Sequence, residues 1–501
     1  MKNKKFVGIV GSLLMASLVL GACGGKEDAS KGSAEAKSDK DSISWMTMLH
    51  TAAPPSGDIE KQLEEYTGMD IEFNWVPDAS KEEKINASLA SDSLADIVSL
   101  TQINSTTVRN AMTSGMFWDV EEYLDDYPNL AKISEGTLES ARVGGHIYGV
   151  PFQKPMARYG VLVRQDWLDN LGLEVPKTYD DLKKVAQAFT ENDPDGNGVK
   201  DTVGFVDREE SYSVGFKAMT VNFGAGNLFD VVDGKITPSF MQDEFKDAME
   251  WYREIYANGW MNSDFTVMSK NDQKDYIVQG KGGIVISGLF DGNNYKTAAM
   301  GTEEEDQEWA LINDITVDGG ERRAVSDTNG GMGGWLAIPK SYVKTEEDLK
   351  VVLQFINDLS DEEPFTLMTQ GVEGVHYEIT EDGAYKRIDD TKWTQEVQPF
   401  AGSRPSELVK DFKTTSELSN LSTEKIAENA DYAIINPAQS LSSETYDLEW
   451  STLIEPIEDA YYLYMMGEIE MDGFDEAVDN FLASGGQAII DEFTDSYNET
   501  K

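Results

Sequence analysis

The chain has 501 residues, with 42 Lys and Arg against 91 Asp and Glu and a formal net charge of -49. That excess of carboxylates excludes a protein that tracks nucleic-acid phosphates or lies on an anionic membrane through a basic patch. It leaves room for an anionic small ligand held by a few local arginines, and the length is too great for one ordinary core, so two lobes are expected.

The chain begins "MKNKKFVGIVGSLLMASLVLGACGG". Lys2, Lys4 and Lys5 form a basic segment, residues 6–20 an apolar run, and small residues follow. This reads as a secretory signal too short for a comfortable membrane span. Leu20-Gly21-Ala22-Cys23 resembles a bacterial lipobox, in which the cysteine is lipidated and becomes the new N-terminus. The plainer alternative is an ordinary cleaved signal with an incidental cysteine. Cys23 is the only cysteine, so no intrachain disulfide forms even in a compartment that permits one. Residues 24–42, "GKEDASKGSAEAKSDKDS" within them, lack aromatic and large aliphatic side chains and read as a flexible tether.

The body opens with a buried strand at "ISWMTML", a helix at "GDIEKQLEEYTG" and an alternating strand at "MDIEFNWV". A helix at "SKEEKINASLAS", a short strand at "ADIVSL" and a helix at "TVRNAMTSGMFWDVEEYL" follow. Strands alternating with helices predict βαβ units and a parallel sheet, whose ligands sit beyond the carboxyl ends of the strands. Thr101, Gln102 and Asn104 follow "DIVSL" and are placed to line a cleft. Further on, "QGKGGIVISGLFDG" is strand-like, and "SDTNGGMGGWLAIPK" is a glycine-rich run entering a strand. "TEEDLKVVLQFINDLS", "STEKIAENADYAI" and "FDEAVDNFLASGGQAIIDEFTDSY" are helical.

The loop "NDPDGNGVKDTVG" has the alternating oxygen donors of an EF-hand. With Asp193 at position 1, Asp195, Asn197, the Val199 carbonyl and Asp201 fall at positions 3, 5, 7 and 9, and Gly198 at the turn position 6. Position 12 is Gly204, so a further ligand must come from Asp207, Thr202 or water. The alternative is a polar helix-to-strand connection built on Asx turns.

Across "YGVPF", "RYGVLVRQDWLDNLGLEVPKTYDDLKKVAQAF", "DPDGNGVKDTVGF", "GGWLAIPK" and "QGVEGVHYEI", the chain resembles a family 1 extracellular solute-binding lipoprotein of a carbohydrate ABC importer. The similarity is to the long Gram-positive branch, related to alginate-oligosaccharide-binding proteins. It implies an α/β fold of two lobes (periplasmic-binding-protein-like, type II), each a mixed, mostly parallel sheet flanked by helices, with the ligand cleft between them. The implied organisation is a signal at 1–22, acylated cysteine and tether at 23–42, first lobe at 43–155 and second lobe at 156–328, with the calcium loop at 193–204. The chain returns to the first lobe at 329–380 and to the second at 381–501. Crossings are expected at 151–158, at 329–335 and after Tyr377. The resemblance also implies a structural Ca2+ in the 193–204 loop, an oligosaccharide ligand, an ABC permease partner and a monomer held by lipid on the outer face of the membrane.

A sugar presents apolar C–H faces and a rim of hydroxyls, so its pocket needs aromatic platforms together with amides, carboxylates and arginines. The chain has 10 Trp, 20 Tyr and 20 Phe, most of them expected in the core. Positions matching the family's cleft are Trp335, Phe290 (where relatives often carry a stacking tryptophan), Tyr148 and Arg158, with Gln102, Asp291, Glu373, His376 and Tyr377 beside them. For Trp335 the alternative is hinge packing, for Arg158 an inter-lobe ion pair, and for His376 a satisfied packing role in a turn. A secreted polysaccharide-active enzyme is the competing class, and a binder of another solute such as a peptide is a third. No HExxH, GxSxG or P-loop pattern occurs, and the three histidines are far apart in sequence, so no catalytic residue is assigned.

Overall fold

The computed structural model describes residues 38–56 and 58–499. The expected signal, Cys23 and all but the last residues of the tether lie outside them. Two sheets organise the body. The first has five strands in the order Asp70–Pro77, Ser42–Leu49, Ile97–Leu100, Met332–Ala337, Gly149–Gln153. Its first three strands run parallel, and Met332–Ala337 runs antiparallel to both neighbours. The second has four strands in the order Trp309–Ile312, Tyr159–Arg164, Gly282–Gly288, Val203–Phe205, with the last pair parallel. Each is therefore a mixed sheet.

Each sheet carries its own core. Alternation along Ser42–Leu49 buries Ile43 and Trp45 completely, and the Trp45 indole donates to Ser99 Oγ at 3.0 Å, so no buried donor is left unmet. This first core runs on through Met332, Trp335 and Leu336 to Val397 and Phe400. The second gathers Trp167, Phe189, Phe205, Phe216 and Tyr252 with aromatic residues from the C-terminal helices. The stretch expected as one segment, 381–501, thus divides between the cores. Val397 and Phe400 stay with the first sheet, and the helix Glu417–Asn429 reaches the second through Leu418 and Ile426. The chain thus leaves the first core and reaches the second sheet between 400 and 418, downstream of Tyr377.

Helix starts follow side-chain caps: Ser105, Thr178 and Thr345 each accept a backbone N–H three residues on. Two expected helices are shorter than the sequence suggests. The one after Ser105 ends at Thr113, because Gly115 takes φ 83°, and only a 3-10 turn, Glu121–Asp126, follows. The terminal one is split into Met471–Phe481 and Gln487–Glu499 around Gly485, at φ 146°. An unforeseen 22-residue helix, Glu444–Met465, contains Pro456. An interior proline removes a backbone hydrogen bond. Tyr446, Trp450, Leu453, Ile457, Tyr461 and Tyr464 recur at helical spacing and are all buried, and that packed face outweighs the loss.

Candidate functional site

The bodies meet where three chain passages cross side by side. Lys154 N donates to Gly331 O at 2.9 Å, Gln153 N to Pro405 O at 2.9 Å, and Glu407 N to Gln153 O at 2.7 Å. Thr328 Oγ1 adds a bond to Pro155 O at 2.8 Å. The glycine run beside them is a packing requirement. A Cβ on Gly334 (φ 131°) would lie 2.3 Å from Leu100 O, and one on Gly333 would lie 2.6 Å from Lys154 Cε. The Met332–Ala337 strand can therefore pass between Lys154 and Thr101 only as backbone.

Around this crossing stands a concentration of cations, unexpected in so acidic a chain. Lys154 Nζ pairs with Glu407 at 2.6 Å. Arg158 clasps Asp327 through Nε at 2.8 Å and Nη2 at 2.7 Å, while its backbone N–H donates to the other carboxylate oxygen at 2.8 Å. Burial works against the Glu407 carboxylate, yet Lys154, Arg404 and Arg158 hold it down to about 2. Burial likewise opposes the charge on Arg158, but Asp327 and Glu407 outweigh it and raise the pKa. Lys217 and Arg404 stand differently. Burial lowers both, and neither has an ion-pair partner among the described residues. Arg404 Nε is buried with no hydrogen-bond acceptor, and its Nη1 reaches Thr369 Oγ1 at 3.3 Å. At the carboxyl end of Ile97–Leu100, Thr101 Oγ1 and both amide atoms of Gln102 are buried and unpartnered as well. Native proteins rarely leave such groups unmet, and four such atoms, on Thr101, Gln102 and Arg404, stand here, with others such as Trp167 Nε1 and Trp251 Nε1 in the second core.

Two cavities open between the bodies. One, about 240 Å3, has Asn104 on the first body and Lys217, Tyr212, Leu228 and Trp450 on the second. The other, about 470 Å3, has Arg387, Trp393 and Arg404 on the first body, faced by Asn293, Thr297 and Ser416 on the second.

The residues expected in a cleft separate into groups. Gln102 and Arg158 lie at the crossing, and Arg158 is engaged in an ion pair with Asp327 of its own body rather than in the inter-lobe pair that was the alternative reading for it. Phe290 is exposed at the start of the helix Asp291–Ala299, with the Arg158 guanidinium 5.9 Å from its ring centroid. Asp291 accepts from Ser287 Oγ at 2.5 Å and from Asn294. Trp335 is not a cleft residue here: it is fully buried in the first core and donates to Ala141 O at 2.8 Å, so packing takes the place of the expected ligand contact. His376 is likewise buried and satisfied, its Nδ1 accepting from Val372 N and its Nε2 2.9 Å from Glu396. Tyr377 is buried against Tyr385, and Glu373 is exposed in the preceding turn. Tyr148 leans on the first core beside His146 and lines neither cavity. Lys154, Lys217, Asp327, Arg387, Trp393 and Glu407 were not anticipated. The one cue for Lys154 was its place in "QKPMARYG", beside Arg158 in an otherwise acid-rich chain.

In the 193–204 loop, Asp193 Oδ2 accepts Gly198 N at 2.9 Å. Asn197 Nδ2 donates to Asp195 Oδ2 at 2.6 Å and lies 3.4 Å from Asp201 Oδ1, and Val199 N donates to Asn197 Oδ1 at 2.6 Å. Burial raises the Asp195 pKa, and Asp193 and Asp201 add to it. Asp193 Oδ1 is buried without a partner. Thr202 and Asp207 are engaged elsewhere: Thr202 bonds Phe189 O, and Asp207 accepts the Ser211 and Tyr252 hydroxyls. No group of three or more His, Cys, Asp or Glu placed to hold a metal occurs among the described residues.

Two α/β bodies, three crossings and an interbody groove holding buried unpaired polar groups define a two-lobed binding protein. The chain belongs to the bacterial extracellular solute-binding proteins, whose family model matches residues 53–363. It is 36% identical over 506 residues, all of both chains, to the polygalacturonan/rhamnogalacturonan-binding protein YtcQ of Bacillus subtilis (strain 168). It is 32% identical over 505 residues, 98% of both, to the lipoprotein LipO of the same organism. A structure of the S. pneumoniae ABC-transporter substrate-binding protein FusA, an EF-hand mutant in complex with fructo-nystose, superposes with a TM-score of 0.66. It covers 92% of this chain and 99% of that one at 19% identity, a likeness of fold. The family, YtcQ and FusA are described as binding proteins, and among the described residues no helix is long and apolar enough to cross a membrane.

Proposed function

We propose that the solute is an acidic oligosaccharide, a uronate-bearing chain, gripped between the bodies at the crossing and handed unaltered to an ABC permease. The observation that carries this is the charge at the crossing. Asp327 and Glu407 are balanced by Arg158 and Lys154, which leaves Lys217 and Arg404 as cations without a carboxylate. Ligand carboxylates supply what these lack, and sugar hydroxyls meet Thr101 and both ends of the Gln102 amide. The polygalacturonan-binding relative supports the same chemistry. Closing is a population shift: a ligand that touches both bodies favours the shut form. The test is titration of tryptophan fluorescence with trigalacturonate and with a neutral trisaccharide, followed by recovery of the sugar. Saturable binding of intact trigalacturonate supports the reading; cleaved sugar, or no preference for the acid, sinks it.

The lobes of this reading are 43–155 with 329–400, and 156–328 with the C-terminal helices, residues 401–416 carrying the third crossing. Cys23 is the lipid attachment, on the pattern of the lipoprotein relative, and holds a monomer at the outer face of the membrane. Calcium sits in the 193–204 loop on Asp193, Asp195, Asn197, the Val199 carbonyl and Asp201 and serves the scaffold. Its support is the repulsion that Asp193 and Asp201 exert on Asp195, the buried, unpartnered Asp193 Oδ1 and the EF-hand of the FusA neighbour.

A further inference from the structure

The larger interbody cavity lies to one side of the charged crossing, and Arg404 is the residue they share. Its floor is an unusual pair. The Arg387 guanidinium lies over the Trp393 ring with its central carbon 3.6 Å from the centroid, a cation–π contact at van der Waals distance. Trp393 is itself fixed, half-buried against the first core with its indole N–H donating to Thr369 O at 3.1 Å. The guanidinium therefore rests on a ring whose own position is fixed. Of its donors, Nη1 reaches Asp390 Oδ1 at a long 3.3 Å, and no other donor has an acceptor among the described residues. Arg404 brings the buried, unpartnered Nε to the same cavity. Lys386, also in the lining, is tied to Glu378 at 2.9 Å, and Asp390 is the only carboxylate in the lining. The facing wall is hydroxyl and amide, with Thr415, Ser416, Ser419, Asn293 and Thr297 from the second body.

We infer that this cavity is a separate carboxylate-reading subsite, in which stacked Arg387 and unpartnered Arg404 take the carboxylate of one acidic sugar unit and the second body's hydroxyls take its rim. The inference rests on the reading of the solute as an acidic oligosaccharide and extends it to an end subsite. Stacking makes Arg387 the reader. It covers one indole face, so the surface offered to ligand is the guanidinium, whose fork matches a carboxylate. Because the guanidinium already rests on a fixed ring, little side-chain freedom is lost on binding. The volume, about 470 Å3, suits a small-ligand site. Since the walls belong to different bodies, a sugar seated here also draws them together.

The test is calorimetric titration of the full chain with trigalacturonate, and with trigalacturonate whose carboxyl groups are methyl-esterified. Arg387→Gln is expected to weaken trigalacturonate at least about tenfold and to leave the ester unchanged, at the melting temperature of the parent. Trp393→Phe keeps a ring but stacks the cation less well, and should give an intermediate loss for the acid alone. Equal weakening of acid and ester, or full affinity for the acid in Arg387→Gln, overturns the subsite while the broader reading stands. If the parent chain prefers neither form, both fall together.

Discussion

Arg109, from the first body, is buried against the second, its Nε 2.6 Å from Asp447 Oδ1 and its two Nη groups on the carbonyls of Gln439 and Leu441 at 3.2 and 3.1 Å. The bodies are thus also joined away from the three crossings, with the Asn110 amide 3.4 Å from Asp447 O beside this pair. Removing Asp447 strands a desolvated guanidinium, which costs about 3 kcal/mol. Asp447→Ala should lower unfolding stability by that order in chemical denaturation. Arg109→Met, which removes the charge as well, should cost less.

Trp335 and Phe290 predict opposite behaviour. Trp335 is core: Trp335→Ala should destabilise by roughly 3–5 kcal/mol, with near-parental sugar affinity for whatever remains folded. Phe290 is exposed beside Arg158. Phe290→Ala should leave the melting temperature within about a degree or two, as for a surface site, while weakening trigalacturonate. Melting curves paired with titrations separate the two roles.

The Glu407 carboxylate sets a window of acid sensitivity. Its pKa in the folded chain, held down to about 2, lies below that of an unfolded glutamate, so the folded state binds fewer protons. The stabilisation is complete above roughly pH 4.3 and disappears as pH falls from there toward 2. The contribution is on the order of 3 kcal/mol at neutral pH. Glu407→Gln should remove that slope from a plot of stability against pH in this range. An unchanged slope would show that the three cations do not hold the Glu407 carboxylate down in the folded chain.

The loop at 193–204 makes a prediction that sugar does not enter. Calcium should raise the melting temperature by mass action, and Asp193→Asn with Asp195→Asn should abolish the rise without abolishing trigalacturonate binding. Protonation competes with the metal, and because the Asp195 pKa is raised the calcium effect should fade on acidification earlier than for an ordinary aspartate. A thermal-shift series at several pH values reads both effects.

Much of the fold was legible from periodicity. The first strands and helices fall where alternation and capping put them, because their buried faces follow simple periods. The helix Glu444–Met465 was illegible because Pro456 reads as a breaker, and only its aromatic face, fixed by the second core, overrides it. The end of the first-body return was misplaced because nothing local marks Val397 and Phe400 as partners of a strand some 350 residues earlier. Gln102, placed at a strand end by the sequence, has both amide atoms buried and unpartnered at the crossing. Trp335 was misread since a tryptophan in a glycine run looks the same whether it faces solute or core. Arg387 and Trp393 were passed over, since the stacking that gives them meaning joins a hairpin to a helix.

The three stitched passages have a mechanical consequence. Two parallel ribbons would still permit one half to corkscrew against the other. A third ribbon, bonded to the first at Gln153 and Glu407 while Lys154 holds Gly331, leaves one free angle. The molecule works as a door on a pinned edge: every shutting stroke retraces the same arc, and the amides of Gln153, Lys154 and Glu407 stay shielded from deuterium at both ends of the stroke.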